Sequence, residues 1–257
     1  MKICVLIKQV PNEDAVIKVS PDNSGIIKDN ITYCTNEPDT YALEEALSIK
    51  DNTNDCEVIV CTMGGSSSTQ ILKEALAKGA DRAIFINKDA ATYDPLNTAK
   101  IISNAIKDDN FDLILSGLQS DDDGHAQIGL LIAEILNMTH ASLVVETELK
   151  DNGKIRVKKE LENGWFQWAE LELPSSISIQ SGLNKPRYAS LKGIMTAKKK
   201  PLDSLESSDM GIDVQAFTET IRTYIPEKTK ETQFIEGDSD LIVAQLVKVL
   251  KDDIKAI

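Results

Sequence analysis

The chain has few of the residues on which catalytic chemistry is usually built. Histidine occurs twice, at His125 and His140, and the four cysteines (Cys4, Cys34, Cys56, Cys61) include no C-x-x-C pair. Metal-ligand spacing is missing, so no metal site is expected and a zinc or iron–sulfur centre is excluded as the organising feature. The thiols are expected to be reduced, in a cytoplasmic protein, with some in buried strands. No run of about 18 apolar residues occurs, so no membrane-inserted helix is expected. Residues 1–10, broken by Lys2 and Lys8, lack the pattern of a secretory signal. Positive charge is also scarce: 28 Lys+Arg stand against 41 Asp+Glu, a net charge of −13. That field repels duplex nucleic acid and anionic membrane surfaces, so neither is expected as a partner. Walker A, G-x-S-x-G and G-x-G-x-x-G motifs are absent, and no nucleophile is paired with a base. A binding module is therefore favoured over a self-contained enzyme.

What is present is an ordinary globular balance. Of the 257 residues, 42% are hydrophobic and 27% charged, enough to bury a core without disulfides. Strand-like apolar runs at 2–8, 57–62, 82–87 and 112–116 alternate with helical patterns at 39–50, 67–78, 95–107 and 124–136. This order predicts an α/β fold, a mostly parallel, Rossmann-like sheet flanked by helices. A turn-rich stretch at 21–25 predicts a hairpin of 15–19 with 25–32. Four strands then follow without helices, at 141–149, 154–161, 165–173 and 176–180. Asp151-Asn152-Gly153 and Glu162-Asn163-Gly164 supply tight turns, so an antiparallel extension is expected. Residues 182–201 carry six basic residues' worth of inversion, including Lys185, Arg187 and Lys198 to Lys200, and no acid. Beyond about 200 the periodicity weakens until an amphipathic helix at 239–251. The expected division is a nucleotide-binding domain, 1–190, and an extended C-terminal arm, 191–257, that packs on another chain.

A parallel sheet places its site at the carboxyl ends of its strands. Three loops there stand out. Thr62-Met63-Gly64-Gly65-Ser66 could turn backbone N–H groups toward an anion, or could simply make a tight turn. The stretch from Ser116 to Gly129 opens a helix and holds Ser120, Asp121, Asp122, Asp123, Gly124, His125, Ala126, Gln127 and Ile128. Capping explains one or two of these acids. A nucleotide with its phosphate on the helix amides and its ribose near an aspartate explains more, provided the other carboxylates point away. His125 by itself is no catalytic signature. Thr35-Asn36-Glu37-Pro38-Asp39 precedes the first helix, where Asn36 either reads a base edge or caps the turn.

Several segments together resemble the β subunits of electron transfer flavoproteins. They are Val5-Leu6-Ile7-Lys8-Gln9-Val10-Pro11, Ala42-Leu43-Glu44-Glu45-Ala46-Leu47, residues 75–83, and Gly117-x-Gln119-Ser120-Asp121-Asp122. The most specific are Leu183-Asn184-Lys185-Pro186-Arg187-Tyr188-Ala189-Ser190-Leu191, with Gly193-Ile194-Met195 and Ala197-Lys198-Lys199-Lys200-Pro201 after it. Tyr224-Ile225-Pro226-Glu227-Lys228 resembles methylotroph members that accept electrons from an amine dehydrogenase.

The resemblance implies a heterodimer with an α subunit, and an electron carrier without a catalytic constellation of its own. The redox FAD is implied to be held mainly by the α subunit and partly enclosed by the β subunit, which holds a structural AMP. Acyl-CoA or amine dehydrogenases are implied as donors, and a quinone reductase as a possible acceptor. The implied AMP contacts fall on Leu6, on Asn36, Glu37, Pro38 and Asp39, on Met63 and Gly64, and on Ser120 to Gly129. The implied docking residues are Ser181, Leu183, Pro186, Arg187 and Tyr188, with Ser181 standing where the family has an exposed leucine; Leu183 either substitutes for it or is a core residue at the base of the arm. Two other readings stay open: the half of an electron-bifurcating flavoprotein, with a second FAD in place of AMP and NADH as reductant, and a stand-alone adenine-nucleotide-binding protein. Gln119-Ser120-Asp121-Asp122-Asp123-Gly124 departs from the bifurcating pattern and favours AMP.

Overall fold

A computed structural model of the chain describes residues 1–88, 94–212, 215, 217–227, 230 and 232–256. The chain divides into two units, residues 1–18 with 27–221, and residues 19–26 with 222–257. The larger unit is an α/β fold. Its elements are β1 (Lys2–Leu6), β2 (Gln9–Pro11), β3 (Tyr33–Thr35), α1 (Glu37–Asp51), β4 (Glu57–Gly64), α2 (Thr69–Lys78), β5 (Arg82–Asn87), α3 (Pro95–Ile106), β6 (Leu113–Gly117) and α4 (Ile128–Ile135). There follow β7 (Thr139–Lys150), β8 (Lys154–Glu160), β9 (Phe166–Glu172), β10 (Ser175–Ile179), α5 (Leu191–Ala197) and β11 (Leu202–Glu206). The main sheet runs β11-β5-β4-β1-β6-β10-β7-β8-β9. It is parallel from β11 to β7, and β8 and β9 continue it antiparallel.

The apolar runs of the central strands are explained by burial on both faces. Along β1, Ile3 and Val5 face a layer with Leu43, Leu47, Leu72 and Leu76 of α1 and α2. Cys4 and Leu6 face the other layer, with Ile101, Ile102 and Ile132 of α3 and α4. The carboxyl end of α2 attracts two cations. Lys200 Nζ donates to the carbonyls of Leu76 and Ala80, and Lys50 Nζ to the carbonyl of Gly79 and to Asp81. Ammonium groups there satisfy orphan carbonyls and oppose the negative end of the helix dipole.

Four departures from the sequence reading have physical causes. First, β10 is not the last strand of an antiparallel run but lies between β6 and β7, parallel to both. All five of its residues are buried, which only an interior strand allows. Second, the hairpin expected at 15–32 reduces to one antiparallel bridge, Val19 with Ile26, and the paired strands are β2 and β3 further out. Third, the helix expected from 124 begins at Ile128, because Gly124 (φ 63°) and Ala126 (φ 54°) are left-handed and cannot enter a right-handed helix. Fourth, residues 202–206 form β11, parallel to β5 at the sheet edge. Leu202 and Leu205 pack on the two core layers, while Asp203 and Ser204 stay exposed, which hides the strand from a pattern search. Helix α5 packs against α2.

The smaller unit contains the Val19–Ile26 bridge and α6 (Ser239–Lys248), which Asp238 caps by accepting from Leu241 N at 2.9 Å. One π-helical turn, Val249–Asp253, follows α6. Lys228 and Ile257 of the expected arm lie outside the described residues. Among the described residues, no helix is long and apolar enough to cross a membrane.

Gly117 fixes how α1 meets the sheet. A Cβ there would lie 2.5 Å from Asp39 Oδ1, 2.6 Å from Pro38 Cβ and 2.7 Å from Asp39 N. The Asp39 carboxyl group is held by its hydrogen bonds, and neither the Pro38 ring nor the Asp39 backbone can swing away. Gly117→Ala is expected to lower stability by about 2 kcal/mol or more, read as a shift in the denaturant midpoint at constant slope.

Candidate functional site

The sheet order reverses beside β1: the chain goes through α1 and α2 to reach β4 and β5 on one side, and through α3 to reach β6 on the other. Such a switch point leaves a crevice at the carboxyl strand ends. A cleft opens there. Leu6, Ile7, Cys61 and Met63 form its apolar floor, and Thr98 and Ile102 of α3 line one wall. Asn36 and Asp39 come from the start of α1, and Lys8 from the residue pair after β1. The segment from Ser116 to Ser120, together with Asp123 and residues 125–129, completes the rim.

Asp39 is nearly buried, 6% exposed, yet carries a carboxyl group. Oδ2 accepts from Lys8 N at 2.7 Å and Oδ1 from Gly117 N at 2.9 Å. One side chain therefore ties the ends of β1 and β6 to the first turn of α1. Burial pushes its pKa up to about 7, against the pull of those two N–H groups and of Asn36. Asn36, 1% exposed, makes no cap to its own helix. Its Nδ2 donates to Gln119 O at 2.9 Å and its Oδ1 accepts from Asp121 N at 2.9 Å. The amide thus pins the loop after β6.

The acidic loop is tied down at each aspartate. Asp121 Oδ2 accepts from Glu37 N at 3.2 Å. Asp122 and Asp123 both accept from Lys8 Nζ at 2.7 Å. Burial opposes the Lys8 ammonium, but the hydrogen bonds it donates to these two carboxylates, with their negative charge, outweigh it and hold its pKa above the ordinary lysine value. Burial likewise opposes the Asp122 carboxylate, and the Lys8 contacts turn the balance, leaving its pKa below the usual range.

Helix α4 starts beside this loop, and its amino end is bare. Gln127 makes no side-chain cap, and no acid lies in the first turn. By contrast α3 is capped by Asp94, and α1 has Glu37 and Asp39 in its first turn. A helix start leaves four N–H groups without intrahelical partners and carries a partial positive charge. The helix can lie this close to β6 and β10 because residue 129 is glycine. A Cβ there would lie 2.7 Å from the hydroxyls of both Ser116 and Ser178.

Of the residues expected at the site, Leu6, Asn36, Asp39, Met63, Ser120, Asp123, His125, Ala126, Gln127, Ile128 and Gly129 come together on the cleft. Glu37, Pro38, Gly64, Asp121, Asp122 and Gly124 are not among the residues that line it. Lys8, Cys61, Thr98 and Ile102 line the cleft but were not singled out by the sequence. The signal that could have found Lys8 is its position at the carboxyl end of a buried strand.

The expected docking residues lie elsewhere and differ in character. Leu183 packs against the core, and Ser181 Oγ donates to Glu37 Oε2 at 2.9 Å. Arg187 grips Glu44 through Nε and Nη2 at 2.9 Å each and reaches Asp51 Oδ2 at 2.8 Å. Pro186 is half-buried, and Tyr188 is 94% exposed. Beside Tyr188, Leu191 and Met195 of α5 are also largely exposed, a patch the sequence reading did not name.

The model of the electron transfer flavoprotein domain family matches residues 25–210. The chain belongs to the electron transfer flavoprotein family. It is 35% identical to the electron transfer flavoprotein subunit beta of Methylophilus methylotrophus, with 98% of each chain covered. It is 32% identical to the subunit beta of Bacillus subtilis over the whole of both chains, and 29% identical to that of Homo sapiens over 94% and 95%. The family carries with it the role of an electron-transferring subunit, and the β designation of these relatives implies an α-subunit partner.

The raised Asp39 pKa has a signed consequence. An unfolded aspartate loses its proton near pH 4. Between about pH 4 and about 7 the folded carboxyl keeps a proton that the unfolded one has lost. This group therefore lowers stability as pH rises through that window, and contributes no pH dependence below it. The stability advantage of wild type over Asp39→Ala is expected to shrink between pH 4.5 and 7.5. An advantage that grows over that range would contradict the assignment, as would a carboxyl carbon-13 titration midpoint near 4.

Proposed function

We propose that this chain is the β half of a heterodimeric electron transfer flavoprotein and holds one AMP as a structural nucleotide. The observation that carries the AMP reading is the bare amino end of α4 opening on an apolar-floored cleft at the switch point. Leu6 and Met63 offer a surface for a purine ring, and Asp39 and Asn36 shape the rim beside it. The backbone N–H groups at Ile128 and Gly129 would receive the phosphate. An uncapped helix start with no acid in its first turn suits a phosphate oxygen.

In this reading FAD is held mainly by the α subunit, and this chain helps enclose it. The flavin supplies the one-electron chemistry. The residues of this chain bind, orient and exclude water. Donor dehydrogenases, acting on acyl-CoA or amines, would dock near the segment that follows β10. Tyr188, Leu191, Ile194 and Met195 are the side chains there with free apolar surface, whereas Leu183 packs on the core and Arg187 is engaged with α1. Exposed apolar side chains on one short helix and the segment just before it are suited to an anchor in a partner's pocket.

Two measurements test this. The chain, purified with whatever co-elutes and then denatured, is expected to release one AMP and one FAD per heterodimer. Two FAD and no AMP would assign the bifurcating role, and a flavin-free homo-oligomer would leave the stand-alone nucleotide-binding reading. Leu191→Ala is expected to slow electron transfer from the donor about tenfold or more while the nucleotide content and the flavin spectrum stay unchanged. An unaltered rate would remove α5 from the docking surface.

A further inference from the structure

The cleft sets a problem in charge. Asp123 lines it together with Gly129 of α4, and Asp122 is its neighbour in the chain. Bare carboxylates beside a helix start repel an anion there, and because the Asp123 side chain is exposed that repulsion weakens as salt rises. Among the described residues lining the cleft, Lys8 is the one lysine or arginine.

Lys8 is held at both ends. Its N–H donates to Asp39 Oδ2 and its carbonyl accepts from Asn36 N at 2.9 Å, which fixes its backbone. Its ammonium donates to Asp122 Oδ1, to Asp123 Oδ2 and, at 3.3 Å, to Ser120 Oγ. An ammonium has three protons, and three acceptors take them. No proton remains for a phosphate oxygen.

We propose that Lys8 is a positioning residue for the nucleotide phosphate: it pins both Asp122 and Asp123 and offsets one of their two negative charges, so that the start of α4 can accept an anion. The inference rests on the adenylate reading of the cleft. Lys8 acts on the phosphate through charge and loop placement, so its removal should penalise a charged ligand and spare an uncharged one with the same base and sugar.

The test uses the full chain with its co-purifying partner, cleared of endogenous nucleotide and titrated calorimetrically with AMP and with adenosine at low and physiological salt. Lys8→Met is expected to weaken AMP about tenfold and adenosine less than about twofold, with the gap narrowing as salt rises. Lys8→Met combined with Asp122→Asn and Asp123→Asn should regain most of the AMP affinity, and Lys8→Arg should keep it. Should Lys8→Met fail to fold, Asp122→Asn/Asp123→Asn in the wild-type background is expected to bind AMP several-fold more tightly and adenosine unchanged. Equal losses for both ligands would make Lys8 a merely structural residue and overturn the proposal, as would an unchanged AMP affinity in Lys8→Met or in the double asparagine variant. If wild type binds neither ligand, the adenylate reading itself fails, and the proposal with it.

Discussion

The buried carboxyl of Asp39 is the contact on which the rest of the site depends. Its two oxygens take the N–H groups of Lys8 and Gly117, the residues at which β1 and β6 leave the sheet. Those N–H groups would otherwise lie orphaned at strand ends, where burial makes an unmet donor costly. The same bonds set the distance between the two strand exits and the first turn of α1, and so set the mouth of the cleft. Gly117 is required by this arrangement, since any side chain there would occupy the place of Asp39. The carboxyl is destabilised as an anion by burial and stabilised by two donors, and the balance leaves it titrating about 7 rather than 4.

A second layer of polar contacts stands on that first one. Asn36 and Lys8, on either side of Asp39, each send a side chain to the loop after β6: Asn36 to Gln119 and Asp121, Lys8 to Ser120, Asp122 and Asp123. The loop is thus held by long-range bonds in addition to its own turn, in which Gly124 N donates to Ser120 O at 2.9 Å. Its left-handed Ala126 is a strained conformation for a residue with a Cβ, and strain of that kind persists where the surroundings over-determine the backbone. The loop then delivers the chain to α4 with the helix start uncapped.

Much of the architecture was legible because burial on both faces writes a continuous apolar run. β1, β4, β5 and β6, and the helices α1 to α3, follow from that pattern and from Pro38, Gly79 and Pro95 as punctuation. The place of β10 was not legible. Its Ser175-Ser176-Ile177-Ser178-Ile179 sequence looks half polar, yet the serines are buried against α4 and its neighbours, with Ser176 Oγ donating to Gly129 O. The three loops of the cleft were found because glycine, asparagine and aspartate crowd at strand ends. Lys8 was passed over because a lysine flanking a strand usually snorkels into water, and its partners lie 114 and 115 residues further along the chain. Leu183 could be read in sequence either as an anchor or as a core residue, since nothing local distinguishes an inward leucine from an outward one, and it packs on the core.

The placement of β10 and β11 carries a consequence for how the chain is made. A ribosome releases β1, β4, β5 and β6 early, but the strand that joins β6 to β7 appears only after β8 and β9 have emerged. The strand covering β5, and Lys200 at the end of α2, come later still. Between the emergence of β6 and that of β10 the nascent sheet therefore has two open flanks, β5 with Ile and Phe and β6 with Leu and Ile, both able to pair with other chains. Translation speed through roughly the stretch that encodes β10 and β11, and access of chaperones to it, would govern the yield of folded protein more than the strength of any single contact in the finished molecule.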